Sequence, residues 1–326
     1  MFKKILSITL LIIILLISFL TSKTKAAINQ NTFIESKVLE TSINEQEKNK
    51  LMKYDATTGK TEEVDIDDLI ASIPSTYCSD GKIPSKTEPF NPLNNNETVL
   101  ATYSDTGRIS NVTEFPNIAT CRLKYDDYGQ EGIASGFLVG PQLLLTSAHC
   151  VMNINDNDRF FSDWVAYPAY NNNPLTLKID NKDIEISSGW SNVYYVSGWV
   201  YTHFAEYDWC ICLLNEPIGN YVGWYGTQSY GTSDEMLNLS IRVQGYPKEQ
   251  GAGYYQYYSN GQISDAFDLK FYSTAKISTG YSGGPIMRTS DDYAVGVLRG
   301  DLISNSDTSV GTRITQHMID VILANR

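Results

Sequence analysis

Histidine is scarce in this 326-residue chain, occurring only at His149, His203 and His317. The five cysteines, Cys78, Cys121, Cys150, Cys210 and Cys212, form no Cys/His set at ligand spacing, so a zinc site is not expected and no metal ligands are assigned. Charge is also sparse, at 19% of residues, and acidic groups prevail: 25 Lys and Arg against 37 Asp and Glu leave a net charge of −12. No Lys/Arg cluster interrupts that balance, which removes the electrostatic footprint of a nucleic-acid binder. Long apolar runs are missing beyond the N-terminus, so no later segment is expected to cross a membrane.

What is present begins with Lys3 and Lys4, an apolar run from Ile5 to Leu20 and a small-residue exit ending at Ala26-Ala27. A basic start, a greasy segment shorter than the ~20 residues of a bilayer span and a small-residue exit describe a secretory signal peptide over 1–26. Export is the working expectation, with an uncleaved membrane anchor as its alternative. From 27 to 98 the chain is rich in Asn, Gln, Glu, Lys and Thr, and Lys86–Thr98 is a Pro/Asn-rich stretch with no period. That segment reads as a linker or a propeptide.

From Val99 onward short apolar or alternating runs are separated by Gly, Pro, Asn and Asp. They include Ile133–Val139, Leu143–Thr146, Trp209–Leu214, Ile241–Gly245, Gly261–Ile263 and Tyr293–Leu298. This rhythm, with 22 Tyr, predicts an all-β sandwich or pair of barrels. Only the end departs from it: Ile314, Met318, Ile319, Ile322 and Leu323 fall at helical spacing. Export permits disulfides, and Cys121, Cys150, Cys210 and Cys212 allow three pairings or none.

Three patterns carry chemistry, in order: Thr146-Ser147-Ala148-His149-Cys150, then Tyr207-Asp208-Trp209-Cys210, then Gly280-Tyr281-Ser282-Gly283-Gly284-Pro285. A serine nucleophile needs a base to take its proton and a carboxylate to fix that base's tautomer. It also needs N–H groups where oxyanion charge develops, and the glycines around Ser282 let those of Gly280 and Ser282 converge. Taken singly each pattern is ambiguous: a turn, a packed imidazole, a turn-forming Asp. The Gly-x-Ser-x-Gly elbow of the α/β-hydrolases is formally matched, but Pro285 and a strand-like run follow where that motif needs a helix. The order His, Asp, Ser is that of the chymotrypsin-type enzymes.

TSAHC and GYSGGP resemble the histidine and serine motifs of trypsin-like proteases. Tyr207–Gly226, Gln244–Ser264 and Gly311–Thr315 resemble the bacterial glutamyl endopeptidase branch. The resemblance runs from about Val99 to the C-terminus and is weakest over Phe160–Gly198. It implies two antiparallel six-stranded β-barrels with a C-terminal helix, preceded by a signal peptide and a propeptide over 27–98. It also implies a secreted, monomeric serine endopeptidase that uses no cofactor, acts on proteins or peptides and is matured by an activating protease near Thr98–Val99. The catalytic residues are expected at His149, Asp208 and Ser282, with Gly280 and Ser282 forming the oxyanion hole. The new α-amino group of Val99 would lie near the specificity pocket. The branch binds an acidic side chain through a His after the nucleophile, where this chain reads Tyr293–Gly300 with no His. Lys276 and Arg299 are the replacement cations, with solvated surface charge as the alternative for both. Two other readings compete with an enzyme: a catalytically silent protease-like binding protein, and an anchored cell-envelope module. His203 and His317 are expected to be structural, and Asn153–Asp158 a polar turn that only loosely resembles a calcium loop.

Overall fold

In the computed structural model the described residues are 45–70, 78–82, 106–302 and 305–326. The chain divides into two compact units, Met1–Lys48 and Asn49–Arg326. Of the first only a short helix, Glu45–Lys48, is described, so the signal-peptide segment lies outside the described residues. Val99 and the expected cleavage point lie outside them as well. No described helix is long and apolar enough to cross a membrane.

The second unit is built on two antiparallel barrels. In the first, strands run in the order Ser162–Pro168, Thr120–Asp127, Gln130–Leu138, Leu143–Thr146, Cys210–Leu214 and Trp190–Val196. A single bridge, Ala166 to Ser188, brings its two ends together. The second barrel orders Pro285–Arg288, Ser240–Gly245, Tyr257–Ala266, Lys270–Ser273, Asn305–Arg313 and Ala294–Leu302. It closes when Pro285–Arg288 pairs with Ala294–Leu302. Six and six is the count that the sequence resemblance implies.

Short continuous apolar runs, bounded by turn residues, explain why these segments become strands. Leu143, Leu144 and Leu145 are buried on both faces, as a strand between two neighbours requires. Phe137 and Leu138, from the next strand, join them in the same core. A smaller cluster around Val243, Ile263, Phe271, Ile286 and Leu298 fills the second barrel. The terminal helix, Gln316–Ala324, starts where the Thr315 hydroxyl accepts from Met318 N. It buries Met318, Ile319, Val321 and Ile322 against the main core. Ile314, counted with that helix by its spacing, lies just before it and is buried all the same.

The segment before residue 99 is more ordered than its composition predicts. Leu51–Asp55 and Lys60–Val64 form a hairpin, and Leu51–Asp55 pairs with Trp190–Val196. The loop follows from the sequence Asp55-Ala56-Thr57-Thr58-Gly59: Asp55 Oδ1 accepts from Thr57 N at 2.7 Å, and Gly59 takes a positive φ of 66°. Two further residues, Cys78–Ser79, add a short strand beside Thr227–Gln228.

Candidate active site

His149 sits in a one-turn 3-10 helix, Ala148–Cys150, that caps the Leu143–Thr146 strand. Asp208 follows a second such turn, Ala205–Tyr207, and opens the neighbouring Cys210–Leu214 strand. Strand pairing, Cys210 opposite Thr146, therefore brings the two together although 59 residues separate them. Asp208 Oδ2 lies 2.6 Å from His149 Nδ1, and Oδ1 accepts from the His149 backbone N–H at 3.0 Å. The carboxylate is fully buried while the imidazole is partly exposed. Burial opposes protonation of the ring, but the adjacent Asp208 carboxylate outweighs it and holds the imidazole above its ordinary pKa. An imidazole in that setting is a strengthened base whose tautomer is fixed by its partner.

Ser282 comes from the second barrel, on the turn that precedes Pro285–Arg288. Its carbonyl accepts from Ser135 N at 2.8 Å, so the turn is bonded directly to the first barrel. Its hydroxyl donates to the Arg299 carbonyl at 3.3 Å.

The turn around Ser282 is pinned through its carbonyls. Thr279 C=O accepts from Lys248 N at 2.8 Å, and Tyr281 C=O accepts from Gly284 N at 2.9 Å. In a trans peptide the N–H points opposite to the C=O, so the N–H groups of Gly280 and Ser282 are held facing the other way. Neither donates to a protein acceptor among the described residues. Gly280 has φ of 102°, and a Cβ there would run into the Tyr246 carbonyl oxygen. The Gly280 carbonyl is fixed by Ser135 Oγ at 2.7 Å, and that same hydroxyl accepts from Tyr246 N at 2.9 Å. Ser135 is a positioning residue that the sequence does not reveal, because its partners lie 145 and 111 residues away.

Arg299 is brought close to the pair. Its Nε lies 3.6 Å from Asp208 Oδ2, and the side chain is about one-third exposed. Lys276 is exposed on the segment leading to Gly280, and Val99 lies outside the described residues. His203 is structural: its Nε2 pairs with Asp158 at 2.8 Å and its ring meets Trp199 edge-on. Trp199 is fully buried and lies 6.4 Å from His149, ring centre to ring centre. His317 packs against Trp209, and burial lowers its pKa. In Asn153–Asp158 the acidic groups are occupied, Asp156 by Tyr128 and Arg159 and Asp158 by His203. Cys121, Cys150, Cys210 and Cys212 are all buried free thiols, which resolves the open pairing in favour of none. Among the described residues no group of three or more His, Cys, Asp or Glu side chains is placed to hold a metal ion.

Residues 109–322 match the family model described as trypsin. An extracellular metalloprotease of Bacillus subtilis is 28% identical over 217 residues, which is 66% of this chain and 66% of that protein. A glutamyl endopeptidase of Bacillus licheniformis is 26% identical over 224 residues, 66% of this chain and 65% of that protein. The match thus spans just under two thirds of the length of these relatives. Among solved structures, a Glu endopeptidase in complex with MPD superposes with a TM-score of 0.55 at 21% identity, covering 68% of this chain and 96% of that one. The protease Anisep from Arthrobacter nicotinovorans gives 0.52 at 19%, covering 65% and 97%. At such identities the structural likeness shows the fold.

Proposed function

The chain belongs to the trypsin family of serine proteases, and from that membership we propose that it is a secreted serine endopeptidase, made as a precursor and cleaving peptide bonds through an acyl-enzyme on Ser282. The observation that carries the reading is the buried Asp208 carboxylate at 2.6 Å from His149 Nδ1, beside a serine turn that leaves two N–H groups unpaired among the described residues.

In the proposed reaction Ser282 Oγ leaves the Arg299 carbonyl and gives its proton to His149 Nε2 as it attacks the scissile carbonyl. Asp208 keeps the Nδ1 proton in place and stabilises the imidazolium that forms. The carbonyl oxygen becomes an oxyanion and takes the N–H bonds of Gly280 and Ser282. Collapse breaks the C–N bond, and His149 returns its proton to the leaving amine. Water then repeats the sequence on the acyl-enzyme, releasing the acid and restoring Ser282.

Two finer features belong to the same reading. Lys3, Lys4 and the Ile5–Leu20 run support export, and the 27–98 segment supports a precursor matured by another protease near Thr98–Val99. Arg299 and Lys276 are the cations proposed to favour an acidic residue near the scissile bond; Arg299 is the stronger candidate because its backbone carbonyl accepts from Ser282 Oγ and its side chain, one-third exposed, lies beside the His149–Asp208 pair. The test is labelling of the secreted protein with a serine-directed phosphonate, read by intact mass. One adduct is expected on the parent and none on Ser282→Ala, whose turnover should fall to what binding and the oxyanion site alone sustain. A processed parent that takes no adduct would identify a silent, protease-like binding protein instead.

A further inference from the structure

Residues 49–70 and 78–82 precede the stretch matched by the trypsin family model, yet they are built into both sheets. Leu51–Asp55 extends the first barrel through five registered pairs, from Leu51 opposite Val196 to Asp55 opposite Asn192. Leu51 is only 2% exposed and belongs to the main core, with Met52, Tyr54, Val64, Ile66 and Leu69 packed against that core. Tyr54 stacks on Phe160 with ring centres 3.8 Å apart and meets Trp190 edge-on. At the other sheet Ser79 pairs with Thr227, and their hydroxyls share a buried hydrogen bond of 2.6 Å. Lys82 and Trp224 exchange two backbone hydrogen bonds of 2.9 Å, and the Lys82 ammonium lies over the indole. The short helix Ile66–Ile70 packs on the terminal helix Gln316–Ala324.

We propose that this segment is a retained strap: when the precursor is cut between Lys82 and Thr106, residues 49–82 stay bound as a separate chain, and the processed enzyme has two chains. The proposal rests on the reading of 27–98 as a segment that is severed from the protease domain. A propeptide meant to leave should touch the cleft through a surface that can be wetted again. This one fills a core slot with Leu51, completes the open edge of Trp190–Val196 and supplies a partner for a buried Thr227 hydroxyl. Its contacts named above lie on sheet edges and the terminal helix, and none of them involves residues 279–284. A further contact reaches towards the site. Lys50 C=O accepts from Ser197 N at 3.0 Å, at the start of the Ser197–Thr202 helix that carries Trp199 beside His149. The strap therefore supports the wall behind His149 instead of plugging the cleft.

The test uses the full chain carrying Ser282→Ala, with the recognition sequence of a site-specific protease placed within residues 91–98. After cutting, native size exclusion followed by denaturing intact mass is expected to recover both fragments in one peak. A strap fragment that elutes alone from this otherwise unaltered protein would overturn the proposal. Adding Leu51→Asp and Tyr54→Ala should release the fragment on cutting, while the uncut variant reports by circular dichroism whether the barrels have folded. N-terminal sequencing of the naturally secreted active enzyme is expected to give two starts, one in the strap and one near Val99. A single start upstream of the strap would defeat the processing reading alone, because the engineered cut still decides retention.

Discussion

Replacing Arg299 by Gln should move the acid limb of activity, and the structure sets both sign and size. Arg299 Nε is 3.6 Å from Asp208 Oδ2, and the same oxygen is 2.6 Å from His149 Nδ1. Placed end to end, these distances put the cation no more than about 6.2 Å from the ring nitrogen. Two unit charges at that range interact by about 0.7 kcal/mol in bulk water and about 2.7 kcal/mol at an effective dielectric near 20. With Arg299 34% exposed, solvent screening favours the lower end, about 1 kcal/mol. That corresponds to roughly 0.7 of a pKa unit. A cation opposes a second positive charge on the imidazole, so its loss makes His149 easier to protonate and its pKa rises. The free base is then lost at a higher pH. The acid limb of kcat/KM should climb by about half to one unit in Arg299→Gln and stay near the parent in Arg299→Lys. The assay is kcat/KM on a short peptide without acidic residues, across about pH 5 to 11, so that the whole limb is read and recognition of a substrate carboxylate does not intrude. A limb that stays in place or moves down in Arg299→Gln would refute electrostatic coupling between Arg299 and the His149–Asp208 pair.

Two other substitutions probe the serine turn. Gly280→Ala forces a Cβ towards the Tyr246 carbonyl at a position with φ of 102°, and should lower kcat about 10²- to 10³-fold with a smaller change in KM, read by steady-state kinetics. Ser135→Ala removes the hydroxyl that bonds both Gly280 C=O and Tyr246 N. About 1–1.5 kcal/mol of positioning should go with it, so kcat is expected to fall about tenfold while KM holds; a rise in KM alone would mean that the clamp does not act on the turn.

The residues of the candidate site were legible because each lies within a short, unusual local pattern. TSAHC, YDW and GYSGGP announce their residues without reference to the fold, and the short apolar runs around them, divided by turn residues, are enough to be read as strands of barrels. What could not be read depends on distant pairing. The Ser135 clamp joins residues more than a hundred positions apart, and nothing around Ser135 marks it. Arg299 was legible as a candidate cation, but not its approach to Asp208, which depends on how the two barrels meet. The hairpin at 51–64 escaped for another reason. Its apolar residues Leu51, Met52, Tyr54 and Val64 are few and set among charges, so its burial comes from the strand it joins and not from its own period. The signal that was available is the turn-forming Asp55-Ala56-Thr57-Thr58-Gly59 between two five-residue runs.

The outer strand of that hairpin, Lys60–Val64, reads Lys-Thr-Glu-Glu-Val and is exposed over most of its length. Beneath the hairpin runs Trp190–Val196, Trp-Ser-Asn-Val-Tyr-Tyr-Val, which is aromatic and β-branched. If it were bare, that edge would offer a line of unpaired amides to a strand from any neighbouring molecule. The hairpin replaces that aromatic margin with a charged, exposed one, which is a poorer template for strand addition by a second copy. The residues that shield this edge precede the stretch matched by the trypsin family model, yet belong to the same compact unit, Asn49–Arg326.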